Sequence, residues 1–323
     1  MQDFKLIYEL LLDACASKDA AGEILIGLVW TFCRGENSDH LGLAMSPGAA
    51  TRVLPWPGEL RGKPVAELTA WIRSWEPYQA AIGMAAINYC LNARALPESI
   101  AVGGIGEFPN LAVFDHFLPQ LLGKNVVVIG RYPGLERYRE QMHLSVLERQ
   151  PQACDLPDSA CEYLLPQADW VFITASSIPN KTFPRLAELS RSAVTVLMGP
   201  TTPWLPQLHE FGVDYLAGVE ILDSGALRQT IAEGGGVNIF RHGLRYRIAQ
   251  LTPNVSLDWL KRQIADCAAE KQALTQAMEA WYQAGNSRRF PDYALLEQTN
   301  ARLSRLDSSY KPLWDSQPTQ AAG

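Results

Sequence analysis

Five short apolar runs, dominated by β-branched residues, constrain this chain more than any other feature: residues 125–129 (NVVVI), 144–147, 170–173, 194–197 and 213–216. None alternates polar with apolar, so none suits a sheet with one face in water. Runs that are apolar on both faces belong to a sheet covered on both sides. Segments long enough for helices separate most of them, which is the pattern of parallel strands joined by right-handed crossovers. The runs therefore predict an α/β fold, with a doubly wound parallel-sheet domain over residues 101–252.

The flanks read differently. Residues 3–18 place Phe4, Ile7, Leu10, Leu11 and Ala14 on one face of an amphipathic helix. Residues 23–32 are β-rich, a polar break covers 34–38, and 40–45 return as a second strand, giving one β-hairpin. Cys33 and His40 flank that break. A loop rich in Pro and Gly over 47–64 leads to helices over 65–75 and 77–92, with Pro77 in the first turn of the second. Residues 1–100 are thus expected to form a small α+β domain. From Pro253 apolar residues recur at helical spacing; Gly285 and Asn286 stop that helix and Pro291 opens another. Residues 253–315 read as a helical hairpin extension and 316–323 as a mobile tail.

Composition removes several function classes. The chain carries 28 Lys+Arg against 34 Asp+Glu, a formal net charge of -6, so no global footprint for nucleic acid exists. No apolar run approaches the length that spans a bilayer. Asp3, Glu9 and Asp13 interrupt the N-terminus as no signal peptide would, so a soluble cytoplasmic protein is expected. The six cysteines form no C-x-x-C pair and are expected as free thiols. The signatures of serine hydrolases, zincins and P-loop proteins are absent, as is G-x-G-x-x-G, and no catalytic residue is named.

Ligands of open parallel sheets bind at the carboxyl ends of strands. Three strand ends here carry unusual loops. The first is Gly130-Arg131-Tyr132-Pro133-Gly134, where glycine admits close backbone approach and Arg131 offers a fork for a carboxylate or phosphate. The second supplies Thr174 and Ser176, followed by Asn180 and Thr182; the third supplies Gly199, Thr201 and Thr202. Each also has a plain structural use: Gly130 as a turn, Thr182 and Thr202 as helix N-caps. Ahead of the sheet stand Glu107, Asn110, Asp115 and His116. Asn110 or Asp115 would cap the helix that follows, whereas Glu107, Asp115 and His116 offer oxygen and imidazole ligands for a transition metal. Asp115 and His116 are adjacent, so on a helix they diverge by about 100°. Glu148 ends the second run, where a ribose-binding acid would sit and where a solvated glutamate is equally at home.

Several stretches, in order, carry a family resemblance: residues 82–88 (IGMAAIN), 114–117 (FDHF), 123–133 (GKNVVVIGRYP), 168–174 (ADWVFIT), 180–182 (NKT), 199–203 (GPTTP), 212–214 (GVD) and 218–219 (GV). On these the chain resembles the "putative heavy-metal chelation" family of Rossmann-like proteins. In that family a domain like the enolase N-terminal domain precedes a Rossmann-like domain. The resemblance implies a cleft between two domains and binding of a metal, a metal complex or a tetrapyrrole-like ligand. Relatives usually carry a histidine where Arg131 stands and a glycine within 175–177, so here a candidate ligand is replaced by a fixed cation.

Three readings result. The leading one is binding of a metal, metal complex or anionic small molecule in the interdomain cleft, in metal or metal-cofactor metabolism. Its contacts are Gly130, Arg131, Tyr132, Thr174, Ser176, Asn180, Thr182, Gly199, Thr201, Thr202 and Asn110, with Glu107, Asp115 and His116 as metal candidates. The second is an enzyme using a nucleotide or adenosyl cofactor. The third is a partner-binding or homo-oligomeric protein acting through the C-terminal hairpin. No nucleic-acid or membrane partner is expected.

Overall fold

The computed structural model describes residues 6–315, apart from 16, 51, 95–96, 104–107 and 153. The chain divides into two compact units, Met1–Leu251 and Thr252–Gly323.

The first unit opens with α1 (Leu6–Asp13), whose Ile7, Leu10 and Leu11 are buried; Phe4 lies outside the described residues. A three-stranded antiparallel sheet follows: β1 (Ala21–Ile26), β2 (Trp30–Gly35) and β3 (Leu41–Met45). Residues 23–32 are therefore not one strand. Gly27 closes a tight turn by donating its N–H to Trp30 O at 3.0 Å. A Cβ at Gly27 would lie 2.9 Å from Trp30 O and from Ile231 O, so only glycine fits the turn. After the loop come α2 (Val65–Ala70), a 3₁₀ turn at Trp71–Arg73, and α3 (Pro77–Asn92). Pro77 sits in the first turn, and the Glu76 carboxylate caps the helix by accepting from Gln79 N at 2.7 Å. α3 is buried continuously from Ala80 to Leu91 and lies directly on β3.

An eight-stranded sheet makes up the rest of the unit. Its strands are β4 (Ile100–Val102), β5 (Asn125–Ile129), β6 (His143–Glu148), β7 (Leu156–Pro157), β8 (Trp170–Thr174), β9 (Val194–Met198), β10 (Tyr215–Ile221) and β11 (Leu244–Gln250). The connecting helices are α4 (Ala112–Leu121), α5 (Cys161–Leu164), α6 (Phe183–Leu189) and α7 (Ser224–Ala232). The order is β4-β11-β10-β9-β8-β5-β6-β7, with β5 through β10 all parallel and β11 antiparallel to both its neighbours. The chain runs outward from β5 to β7, returns beside β5 as β8, and then proceeds the other way. That reversal is where ligands of open α/β sheets bind.

Two local departures matter for the site. The last expected strand begins later, at Tyr215, and continues through Gly218, where the Trp204 ring fills the space a side chain would take. A Cβ at Gly218 would lie 2.7 Å from Trp204 Cζ2. The helix expected after β5 is only a 3₁₀ turn, Leu135–Tyr138, preceded by Gly134 at φ 92°. One apolar core joins Trp30, Phe32, Leu41 and Leu43 of the small sheet to Val128, Phe172, Met198, Val219 and Tyr246 of the large one and to Phe114 of α4.

The second unit contains α8 (Pro253–Gln283) and α9 (Tyr293–Asp315). Thr252 caps α8, and the two helices are tied by Cys267 Sγ to Thr299 O at 3.4 Å and Arg302 to Gln263 Oε1 at 3.3 Å. Residues 316–323 lie outside the described part. All six cysteines are free thiols. Among the described residues no helix is long and apolar enough to cross a membrane.

Candidate functional site

The reversal point brings some of the expected residues together. Gly130 (φ 95°) lies against Thr174: a Cβ there would be 3.0 Å from Thr174 Cγ2. Thr174 Oγ1 and Ser176 Oγ are 3.0 Å apart and share a hydrogen bond. Gly199 (φ 110°) approaches the Tyr132 hydroxyl, which a Cβ would meet at 3.6 Å. That hydroxyl is buried and makes no hydrogen bond of ordinary geometry, although Thr174 lies beside it. Burial pushes the Tyr132 phenol upward, so it stays a proton donor. Asn110 is 3% exposed and caps nothing; its amide donates to Pro133 O at 3.0 Å and fixes the loop after β5.

Other expected contacts are spent inside the fold. Arg131 donates to Gln152 and, at 3.1 Å, to Asp155 Oδ2, on the β6 side of β5. Its charge is therefore answered within the chain. Glu148 accepts from the backbone N–H of Arg131 at 3.0 Å and of Arg149 at 2.9 Å. Thr201 is 2% exposed; its hydroxyl accepts from Met45 N at 2.9 Å, and its carbonyl accepts from the Asn88 amide at 2.9 Å. Thr202 is buried too, its hydroxyl 3.5 Å from Ala217 O. The end of β9 is thus sealed by β3 and α3.

Asn180 and Thr182 are exposed, and Thr182 makes no side-chain cap to α6. Between them Lys181 has φ 67°, the one positive value among described non-glycine residues. Its ammonium donates to Ile72 O and lies 4.7 Å from the Tyr8 ring centroid. Burial pulls its pKa down to about 8. Sequence reasoning offered no signal for this pairing, because Tyr8 lies on α1.

The metal candidates do not converge. Asp115 Oδ1 accepts from Tyr138 Oη at 2.6 Å, and His116 is exposed on α4 with its ring against Phe117. Glu107 lies outside the described residues. Among the described residues no three His, Cys, Asp or Glu side chains meet where they would hold a metal ion.

An open crevice does exist at a strand end, at β10. It has a volume of about 310 Å³ and lies between Val219–Leu222 with Ser224 on one side and Asp39, His40, Leu41 and Asn92 on the other. Asp39 and His40 are exposed. Glu220 is held below the usual carboxylate range by Arg245 at 2.7 Å and Arg247 at 3.2 Å, outweighing its partial burial. His40 was visible in the sequence only as a residue flanking a strand break. The crevice sets it opposite the end of β10.

Fold and crevice together define a two-sheet α/β protein with a polar opening at a strand end. Family models described as "putative heavy-metal chelation" match residues 8–90 (DUF4213) and 112–250 (DUF364), and the chain belongs to that family. Helices α8 and α9 fall outside both matched segments. A solved DUF364-family protein of unknown function from Desulfitobacterium hafniense is 28% identical, with a TM-score of 0.65, covering 77% of this chain and 99% of its own. Another, from Pyrococcus horikoshii, shares 20% identity with a TM-score of 0.61 and the same coverage, and shows likeness of fold alone. Comparison with curated proteins gives no match.

Proposed function

We propose that this chain binds a metal that already carries its own chelator, or a comparable anionic small molecule, at the carboxyl edge of the large sheet. The reading takes residues 1–100 as an enolase N-terminal-like part and 101–252 as a Rossmann-like part, with the ligand where the two face each other. The single observation that carries it is the crevice at the end of β10, which sets Asp39 and His40 opposite the strand end.

Ligand arithmetic supports a complexed metal. A bare ion held by protein alone needs three or four side-chain ligands. The crevice offers one imidazole and one unpaired carboxylate, since Glu220 is committed to arginines. Two donors suit a metal whose remaining positions are filled by another molecule, and imidazole favours zinc, copper, iron or nickel. Gly130, Tyr132, Thr174, Ser176 and Gly199 form a tighter contact zone on the same edge, with the buried Tyr132 phenol beside Thr174. A dinucleotide reading finds less support: the segment after β5 is a 3₁₀ turn rather than a helix whose N-terminus would face phosphates.

Elemental analysis with native mass spectrometry tests the proposal on full-length protein from metal-supplemented cells. A metal-containing adduct that disappears in His40→Ala is the expected result. A wild-type protein without any adduct, or an adduct retained in His40→Ala, would count against it.

A further inference from the structure

A second opening, on the far edge of the small sheet, has different chemistry. It has a volume of about 610 Å³ and lies between β1 and the loop that carries Trp56 and Arg61, with Arg228 of α7 and Arg34 of β2 on its rim. That volume is in the range that accommodates a small organic ligand.

Its lining is rich in donors. Three guanidinium groups, Arg34, Arg61 and Arg228, face a single carboxylate, Glu23. Arg228 grips Glu23 with Nε at 2.8 Å and 3.1 Å, while Arg34 stands 3.7 Å from it. Arg61 is exposed and makes no hydrogen bond or ion pair among the described residues. The Trp56 indole N–H belongs to a side chain 7% exposed and has no hydrogen-bond partner. β1 is an edge strand whose one strand partner is β2; at its start Ala21 also exchanges backbone hydrogen bonds with Gly62 and Lys63, both at 2.8 Å. Because Gly27 bonds Trp30, the alternation of an antiparallel ladder turns the backbone groups of Ile24 and Ile26 outward, toward the opening. Leu54, Trp56 and the two isoleucines supply an apolar floor.

We propose that this groove binds a small organic anion: a ring-sized apolar body bearing a carboxylate or phosphate. The body rests on Trp56 and Ile24, and the acid meets Arg61, the guanidinium that no carboxylate neutralises. Such a site is independent of the strand-end crevice and does not rest on the metal reading.

Phenyl phosphate is the probe, with benzyl alcohol as its uncharged counterpart, each followed by ligand-observed NMR titration of the full chain. Phenyl phosphate should bind at least tenfold more tightly than benzyl alcohol. Arg61→Gln should weaken phenyl phosphate by tenfold or more and leave benzyl alcohol unchanged. Glu23→Gln, which releases Arg34 and Arg228, should tighten phenyl phosphate severalfold, and His40→Ala should leave it unaltered. Equal binding of the two probes, an Arg61→Gln protein that holds phenyl phosphate as well as wild type, or weaker binding in Glu23→Gln would each overturn the proposal.

Discussion

The ends of β9 and β10 are neighbours in one sheet, yet they have opposite fates. At β9 the hydroxyl-rich loop Gly199–Pro203 is covered: Thr201 binds the Met45 amide, and Asn88 bridges Leu43 O at 2.7 Å and Thr201 O at 2.9 Å. At β10 the chain leaves room, and Asp39 and His40 stand across an open crevice. Polar residues at a strand end therefore do not define a ligand site. What defines it is whether the neighbouring sheet takes up those groups.

The comparison can be broken most severely at Gly42. A Cβ there would sit 1.9 Å from Tyr89 N and 2.1 Å from Ala85 O, both backbone atoms. Gly42→Ala should separate β3 from α3 and cost more than about 3 kcal/mol, as overpacking of a tight contact does. Thermal and denaturant unfolding read this directly; an unchanged midpoint would show that β3 is not held where the sealed end needs it. Asn88→Ala comes next. It removes both amide bonds of a side chain 2% exposed and should cost about 1–3 kcal/mol. It should also make the Gly199 loop accessible to hydrogen exchange, which Asn88→Ala without added exchange would contradict.

A pH effect follows from the 3₁₀ segment after β9. Burial raises the Glu210 carboxyl to about 7. Its folded pKa lies above its unfolded value near 4.5, so the folded state binds the extra proton. That stabilisation is complete below pH 4.5 and is lost as pH rises through 7. Glu210→Gln should flatten the fall in stability across that window, measured by urea unfolding at several pH values. The smallest effect belongs to Arg131→Ala. Its partly exposed pair with Asp155 is worth about 0–1 kcal/mol, and ligand binding at the β10 crevice should not change. A tenfold loss of metal-complex affinity in Arg131→Ala would return the site to the end of β5.

Much of the large sheet was legible because its strands are short, mostly apolar runs that do not alternate: β5, β6, β8 and β9 lie where the runs predict them. β10 was misplaced because Gly218 dilutes its pattern, and only Trp204, packed over it, explains the glycine. The turn at Gly27 was hidden within an apolar stretch, since its requirement comes from Trp30 O in the turn itself and from Ile231 O, far along the chain. The candidate site was less legible for the same reason. Thr201 reads as a ligand contact, and its use by Met45 is a tertiary fact. His40 reads as the residue where a strand resumes after a break, and its position opposite Val219–Leu222 depends on two sheets sharing one core.

The most direct measurement is a calorimetric titration of untagged wild-type and His40→Ala protein with nickel nitrilotriacetate and with aqueous nickel ion. The chelate leaves the metal two open positions. Wild type should bind the chelate more tightly than the bare ion, and His40→Ala should lose at least tenfold in affinity for it. Tighter binding of the bare ion, or chelate binding that is the same in His40→Ala, would contradict a two-donor crevice at the end of β10.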